Sequence, residues 1–577
     1  MKSVLRTMLA MLFFLAACGV ESSVETVSSS SSNIISSVYD NDTEEAYALV
    51  RSTRHGEVKG TQSGDALVWY AIPYGAASVS ERRWQEPQEP SNWNYPKLCV
   101  RPGKPSLQYE VDSTTGNMIA VGTEDCLNLD VYTTKNADNL PVLVYIHGGD
   151  NQTGTSLEIP GEQIVTRDHC VYVSVNYRLG LLGFNCLPAL WQEGRTNNYA
   201  LMDLAKALDW VKDNIAAFGG NPNNITVSGF SGGGCDVMSM LISPMFRGKF
   251  QKAIVFSGGM TLSDMDLSTE KTAELLASLA VEDDKAKDEK SAKEYLLGNN
   301  DEVREYLYGL DGDRLALAMG DASIRMSDFP HLFIDNIVIP YEGFMTEEYN
   351  DVPIILVTGT TEFSLFNQSD DSFNKIKDEG LRDKAISFSD RYGSDMYRIF
   401  NTEMSAEQMS FQYESNIYIA QIDFGSPTSK VSIPVYGSFH GIFIPMLSDH
   451  HGYTSIFDFA KHAGYQDMAD KFNAYLANFL ASGNPNGTGL TEWTPWTTDN
   501  KVSQVFDADD NLATIENKDV STTYDEIMDA MDKDDTLDVK TKRYVIENTL
   551  NGRWFADALH DRYKTPDLWQ TSQQSKR

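Results

Sequence analysis

The segment VSGFSGGGCD, residues 227 to 236, sets Ser231 between Gly229 and Gly233 at the junction of two unlike runs. NITVSG before it is short and β-branched, and GGGCDVMSMLISP after it is helix-like and stops before Pro244. A serine between strand and helix sits on a strained turn, where glycines let the two backbones pass and helix N-terminal amides can receive a developing oxyanion. Gly-x-Ser-x-Gly is weak by itself, because 41 glycines produce it by chance in roughly a few tenths of such chains. The order of strand, serine and helix makes Ser231 a candidate nucleophile rather than a loop serine.

A serine hydroxyl attacks only when a base takes its proton, and the base needs a carboxylate to hold its tautomer. Six histidines follow Ser231: His331, His440, His450, His451, His462 and His560. Composition does not choose among them. YGSFHGIFIP puts His440 in a glycine-flanked loop after the strand-like VSIPVY, whereas SDHHG reads as a solvated turn.

The elements that must position these groups alternate along the chain from about residue 46. PVLVYI (141 to 146), CVYVSVN (170 to 176), NITVSG (224 to 229), KAIVFS (252 to 257) and PIILVT (353 to 358) read as buried strands of a mostly parallel sheet. Leu201, Leu204, Leu208, Val211, Ile215 and Phe218 recur at steps of three and four, with Asp203, Lys206, Asp209, Lys212 and Asp213 on the other face. This predicts a sheet-packing helix ended at FGGNP. The charged, helix-biased stretch 262 to 325 reads as an insertion or cap.

With 577 residues, 41% hydrophobic and 11% aromatic, the chain can bury a large core. Its formal charge of -35, from 47 basic and 82 acidic residues, repels phosphates and argues against nucleic acid as a partner. MKSVLRTMLAMLFFLAAC has basic residues, an apolar run too short to span a bilayer and then small residues, which is the pattern of an export signal. Leu15-Ala16-Ala17-Cys18 resembles a bacterial lipobox, so residues 1–18 are expected to be a lipoprotein signal with Cys18 acylated. Residues 19–45, rich in serine, read as a disordered tether, leaving 46–577 as the folded domain. The expected location is the outer membrane, reached only through the lipid anchor, or else a secreted or periplasmic one. An oxidising compartment allows bridges among Cys99, Cys126, Cys170, Cys186 and Cys235, but five is odd and none has metal-site spacing.

Several motifs together carry a family resemblance. ALVWYAIPYGAA with RRWQEPQEPSNW, then TEDCLNLDVY, NYRLGLLGF, DNIAAFGGNPNNITVSGFSGGG and FLASGNPNG occur in the order found in type-B carboxylesterases, the group of cholinesterases, bile-salt lipases and bacterial para-nitrobenzyl esterases. The chain resembles that family from about residue 46 to 500. The resemblance implies an α/β-hydrolase fold, with a large central mostly parallel β-sheet, flanking helices and helical insertions. It implies hydrolysis of small-molecule carboxylic esters without a cofactor or metal, and the chain order serine, acid, histidine. By motif, Ser231 matches the nucleophile, His440 the base and Glu362, nine residues after Pro353, the acid. The amides of Gly149, Asp150 and Gly232 match the oxyanion hole, and Cys99 with Cys126 matches a disulfide that would contribute about 3 to 4 kcal/mol. Ser257 in FSGG is a candidate support for Glu362 or a plain turn serine.

Three positions depart from the family pattern. Phe230 precedes the nucleophile where glutamate is usual, Phe443 replaces an acidic residue, and the oxyanion loop ends His147-Gly148-Gly149-Asp150 in place of a third glycine. The first two remove negative charge, and the loop 99 to 126 has no tryptophan for a quaternary ammonium, so neutral or lipophilic esters are expected over choline esters. A carboxylate at Asp150, about 4 Å from the oxyanion, would cost about 4 kcal/mol at an effective dielectric near 20. Either its side chain turns away while its amide donates, or the carboxylate orients a water. A cholinesterase-like binding or adhesion protein is the alternative reading, and the retention of all three triad residues favours the enzyme. A nucleotide-binding protein is a distant third, since GFSGGG lacks the P-loop lysine.

Overall fold

A computed structural model describes residues 49–191, 196–322 and 324–566. The signal segment, Cys18 and the tether lie outside these residues. The main sheet has eleven strands: β1 Thr61–Ser63, β2 Ala66–Pro73, β3 Asn128–Thr134, β4 Leu140–Ile146, β5 Val171–Val175, β6 Gly220–Phe230, β7 Lys252–Phe256, β8 Ile354–Gly359, β9 Ile417–Ile422, β10 Ser503–Ala508 and β11 Ala513–Lys518. Their spatial order is β11-β10-β9-β8-β7-β6-β4-β5-β3-β2-β1. The pairings between β5 and β10 are parallel, and antiparallel strands close both edges.

The five strands read from the sequence are present, each within a few residues of its expected bounds. Their continuous apolar runs follow from burial on both faces. Val142, Val144 and Ile146 of β4 enter one core layer, while Leu143 and Tyr145 enter the other.

The expected helix forms over Tyr199–Asn214, tightens to a 3₁₀ turn at Ile215–Phe218 and ends at Gly219, whose φ is 84°. Asp203 departs from expectation. It is fully buried rather than on the polar face, because Arg178 grips it through two bonds of 2.8 and 2.7 Å. The stretch 262 to 325 forms the helices Met265–Glu282, Glu289–Leu296, Asp301–Gly309 and Gly312–Ala318. Its acidic character is partly local: Asp264, Asp288, Asn300 and Asp311 each cap a helix N-terminus.

Two further expectations need correction. VSIPVY is not a strand, since Pro434 lacks the N–H that a ladder needs and Val435 takes a φ of 74°. Cys99 and Cys126 are buried free thiols, not a disulfide. Burial pushes both up to about 12. Cys170, Cys186 and Cys235 are also free and buried.

The carboxyl ends of β4, β6, β7, β8 and β9 lead to one region, where open α/β sheets place their ligand crevices. The C-terminal helices after β11 bring residues 553–555 to that region. Arg553 pairs with Asp370 at 2.7 Å, and the rings of Trp554 and Phe555 lie 6.3 and 5.8 Å from Tyr397.

Candidate active site

Ser231 follows β6 and precedes the helix Gly232–Ile242, with φ 55° and ψ -121°. That conformation is strained for a residue with a Cβ, and the surroundings fix it. Its N–H donates to the Phe256 carbonyl at 2.9 Å, and its own carbonyl accepts from Cys235 at 3.0 Å. The flanking glycines are steric requirements. A Cβ at Gly229 would stand 2.1 Å from the Gly233 carbonyl oxygen, and one at Gly233 would stand 2.4 Å from that of Ile146. The turn holds Ser231 at 4% exposure against the end of β4.

Glu362, three residues beyond β8, is fully buried. Its Oε1 accepts from Ser257 Oγ at 2.6 Å, the Gly359 amide at 2.6 Å and Thr358 Oγ1 at 3.1 Å. Its Oε2 accepts from His440 Nδ1 at 2.6 Å. A carboxylate as acceptor assigns the Nδ1 proton to the ring, which leaves Nε2 with a lone pair. His440 Nε2 is buried and has no hydrogen-bond partner. The imidazole is clamped by Phe230, Phe366 and Tyr397, with ring centroids at 4.6, 4.9 and 5.5 Å.

The structure therefore joins Glu362 to His440 directly and connects Ser231 to them through its neighbours. Phe230, next in chain to Ser231, touches the imidazole. The Tyr397 phenol, which donates to the Ser257 carbonyl at 3.1 Å, is held well above its ordinary value by burial first and then by Glu362, with Ser231 as a hydrogen-bonding neighbour. Ser257 is the support for Glu362 rather than a plain turn serine.

The oxyanion loop leaves β4 at His147. Burial pulls this imidazole down to about 4, and its neutral ring donates to the Gly148 carbonyl at 2.9 Å while stacking on Tyr177. The Gly148 amide donates to Glu158 at 2.9 Å, and Tyr145 donates to the same oxygen at 2.6 Å. Gly149, Asp150 and Asn151 all have positive φ, at 101°, 55° and 57°. A Cβ at Gly232 would lie 2.8 Å from the Asn151 nitrogen and 3.1 Å from the Asp150 nitrogen, so the loop backbone lies directly on the start of the helix that follows Ser231. The amides of Gly149, Asp150 and Gly232 donate to no protein group among the described residues. Of these, the Asp150 amide nitrogen lies next to Gly232, the residue after Ser231.

Asp150 is 7% exposed and neither carboxyl oxygen has a hydrogen-bond partner. Phe230 and Phe443 fill the places where charge was expected, packing at 5.1 Å on each other, with Phe443 stacked on Phe256 at 4.2 Å. Tyr397 and Glu158 also build the site, yet neither stood out in the sequence. Tyr397 is one apolar position of the long helix Glu379–Asn401, and Glu158 belongs to no spaced motif. His331, one of the six candidate bases, is fully buried with its Nδ1 on the Phe329 carbonyl, while His450 lies in an exposed turn.

A profile described as the carboxylesterase family matches residues 48–394. A para-nitrobenzyl esterase of Bacillus subtilis is 34% identical over 240 residues, covering 40% of this chain and 48% of the relative. An acylcarnitine hydrolase of Rattus norvegicus is 36% identical over 243 residues, covering 39% and 42%. The matched stretch thus spans about half the length of these relatives or less. A medium-chain fatty acyl-CoA hydrolase precursor of Anas platyrhynchos matches further, at 26% identity over 509 residues, 78% of this chain and 88% of the relative. Among solved structures, a carboxylesterase of Geobacillus stearothermophilus superposes with a TM-score of 0.66 at 24% identity, covering 84% of this chain and 99% of that one. A PNB esterase gives 0.63 at 23%, covering 82% and 97%, and both carry the α/β-hydrolase fold. Sheet order, serine elbow and family match agree, and this chain belongs to the carboxylesterase family.

Proposed function

We propose that the chain is a serine carboxylic-ester hydrolase that works through an acyl-enzyme at Ser231. The observation that carries this reading is His440, whose Nδ1 is committed to Glu362 while its buried Nε2 stays open beside the serine turn. Ser231 Oγ attacks the ester carbonyl carbon as its proton passes to His440 Nε2, and Glu362 balances the imidazolium. The amides of Gly149, Asp150 and Gly232 receive the oxyanion. Collapse expels the alcohol, which takes the proton from His440. Water then repeats the cycle on the acyl-enzyme and releases the acid.

Neutral or lipophilic esters suit a site whose His440 is packed by the aromatic rings of Phe230, Phe366 and Tyr397, with Phe443 behind Phe230, and which carries no acidic residue at 230 or 443. The assembled acid–base pair speaks against a purely adhesive role. The export signal and Cys18 in the sequence support an enzyme tethered outside the inner membrane by a lipid. A fluorophosphonate should label the wild type and not Ser231→Ala, and the variant should lose about 10⁶-fold in kcat on a neutral aryl ester. A wild type that takes no label and hydrolyses none of a graded series of alkyl and aryl esters would overturn the proposal.

A further inference from the structure

Asp150 belongs to the loop that lies on Gly232, and its carboxyl is buried with no hydrogen bond to either oxygen. Its backbone amide is one of the proposed donors, so the side chain starts from the same residue that would hold the oxyanion. Both oxygens are buried and unpartnered. The groups that act on it come from several elements: Asp321 and Asp328 from the segment after the inserted helices, Arg553 from the C-terminal segment, and the Ile324 amide. Tyr109, Tyr397 and Cys235 feel its charge in turn. Arg553, the cation among them, is already ion-paired with Asp370, which Arg325 also holds. Asp321 and Asp328 oppose a negative charge at Asp150, whereas the Ile324 amide and Arg553 favour one without making a hydrogen bond to either oxygen, and burial outweighs them.

We propose that Asp150 works as a neutral carboxylic acid beside the oxyanion, and that its ionisation shuts down ester hydrolysis as pH rises. This rests on Ser231 being the nucleophile, as proposed above. Burial, reinforced by Asp321, holds the Asp150 carboxyl well above the ordinary carboxylate range. Burial first, with further contributions from neighbouring carboxylates, likewise keeps the Tyr109 and Tyr397 phenols and the Cys235 thiol well above their ordinary values, so these three stay neutral around it. A neutral acid leaves the amide donors of Gly149, Asp150 and Gly232 to act unopposed. An ionised one starts from the residue whose amide is proposed to hold the oxyanion, and at a separation of about 4 to 5 Å it would slow acylation by about 10² to 10³-fold at an effective dielectric near 20.

The sign is fixed by the direction of the shift. The folded enzyme keeps the Asp150 proton at pH values where the unfolded chain has lost it, so kcat/KM is high below the Asp150 ionisation and falls above it. Stability also declines as pH rises through this interval. Asp150→Asn removes the ionisation and keeps nearly the same shape, and asparagine tolerates the φ of 55°. Asp150→Gly, still more tolerant of that φ, is the second variant.

The test measures kcat/KM for an uncharged ester by pH-stat between about pH 6 and pH 10, with Ser231→Ala as the background. The wild type should fall about tenfold per pH unit above the ionisation, while Asp150→Asn and Asp150→Gly hold level, their advantage growing to about 10²-fold or more. Tm should drop with rising pH in the wild type and less in both variants. Parallel profiles in an enzyme that takes the fluorophosphonate on Ser231 would overturn the role of Asp150 and leave the esterase reading standing. Loss of hydrolysis at all pH in both variants, with Tm preserved, would show that the carboxylate itself is needed and would equally overturn it. A wild type that neither labels nor hydrolyses would sink the esterase reading first.

Discussion

Two acidic side chains flank the same serine turn, and the fold treats them in opposite ways. Glu362, after β8, receives four donors, three on Oε1 and the His440 ring on Oε2. Asp150, after β4, receives none. The difference lies in where each strand end aims its amides. Beyond β8 the chain turns so that the Gly359 amide points back onto the carboxylate. Beyond β4 the run of positive φ from Gly149 to Asn151 keeps the amides off protein acceptors and lays the loop beside the helix that follows Ser231. One corner holds a charge on the protein, and under the proposed mechanism the other would hold a charge on the reacting ester.

The sharpest way to break this contrast is to neutralise the satisfied carboxylate. Glu362→Gln keeps the shape but cannot balance an imidazolium, and its amide would favour the wrong His440 tautomer. We expect kcat to fall about 10⁴-fold with fluorophosphonate labelling slowed in proportion, measured by steady-state and labelling kinetics. A loss of less than tenfold would mean that Glu362 is not the orienting acid.

Glu158 lies between the two extremes, with two donors and a carboxyl pushed up to about 7 by burial. Its folded value exceeds the ordinary 4.5, so its contribution to stability is complete below about pH 4.5 and is lost as pH rises through 7. Because Glu158 keeps some solvent contact, we expect about 2 to 3 kcal/mol over that window. Glu158→Gln should remove this part of the slope of stability against pH, read from urea unfolding. Identical slopes in the two proteins would place the titration elsewhere.

The elements were legible where periodicity was strong. Apolar runs gave the central strands, and the steps of three and four gave the helix Tyr199–Asn214. Ser231 was legible because strand, serine and helix occur in order, which is a local fact. His440 and Glu362 were not local facts: composition left six histidines open, and a lone glutamate after a strand has no signature without its distant partner. The family resemblance supplied both. Asp203 was misread because an amphipathic pattern assigns polar residues to solvent, whereas Arg178 buries this one, and Tyr397 was overlooked because a buried aromatic on a helix has no signature beyond packing. Cys99 and Cys126 show the reverse failure, a pairing carried over by resemblance where the two thiols stay buried and separate.

The smallest change that sharpens the contrast removes one donor from Glu362. Ser257 follows β7 with a φ of 49°, donates its amide to the Val357 carbonyl at 2.7 Å and aims its hydroxyl at Oε1 at 2.6 Å, a distance typical of a charge-assisted bond. Ser257→Ala leaves the backbone bonds and the Tyr397 contact to the Ser257 carbonyl in place, and it leaves Glu362 with three donors. Hydrogen bonds to charged groups contribute about 1.5 to 3 kcal/mol, but two neighbouring donors remain on the same oxygen to take up part of the loss. We therefore expect kcat to fall only about tenfold with KM unchanged, since the lost interaction serves the imidazolium of the transition state and touches no part of the ester. A rise in KM with kcat preserved would reassign Ser257 to shaping the pocket, and the number of donors on Glu362 would then cease to explain why the two carboxyls behave differently.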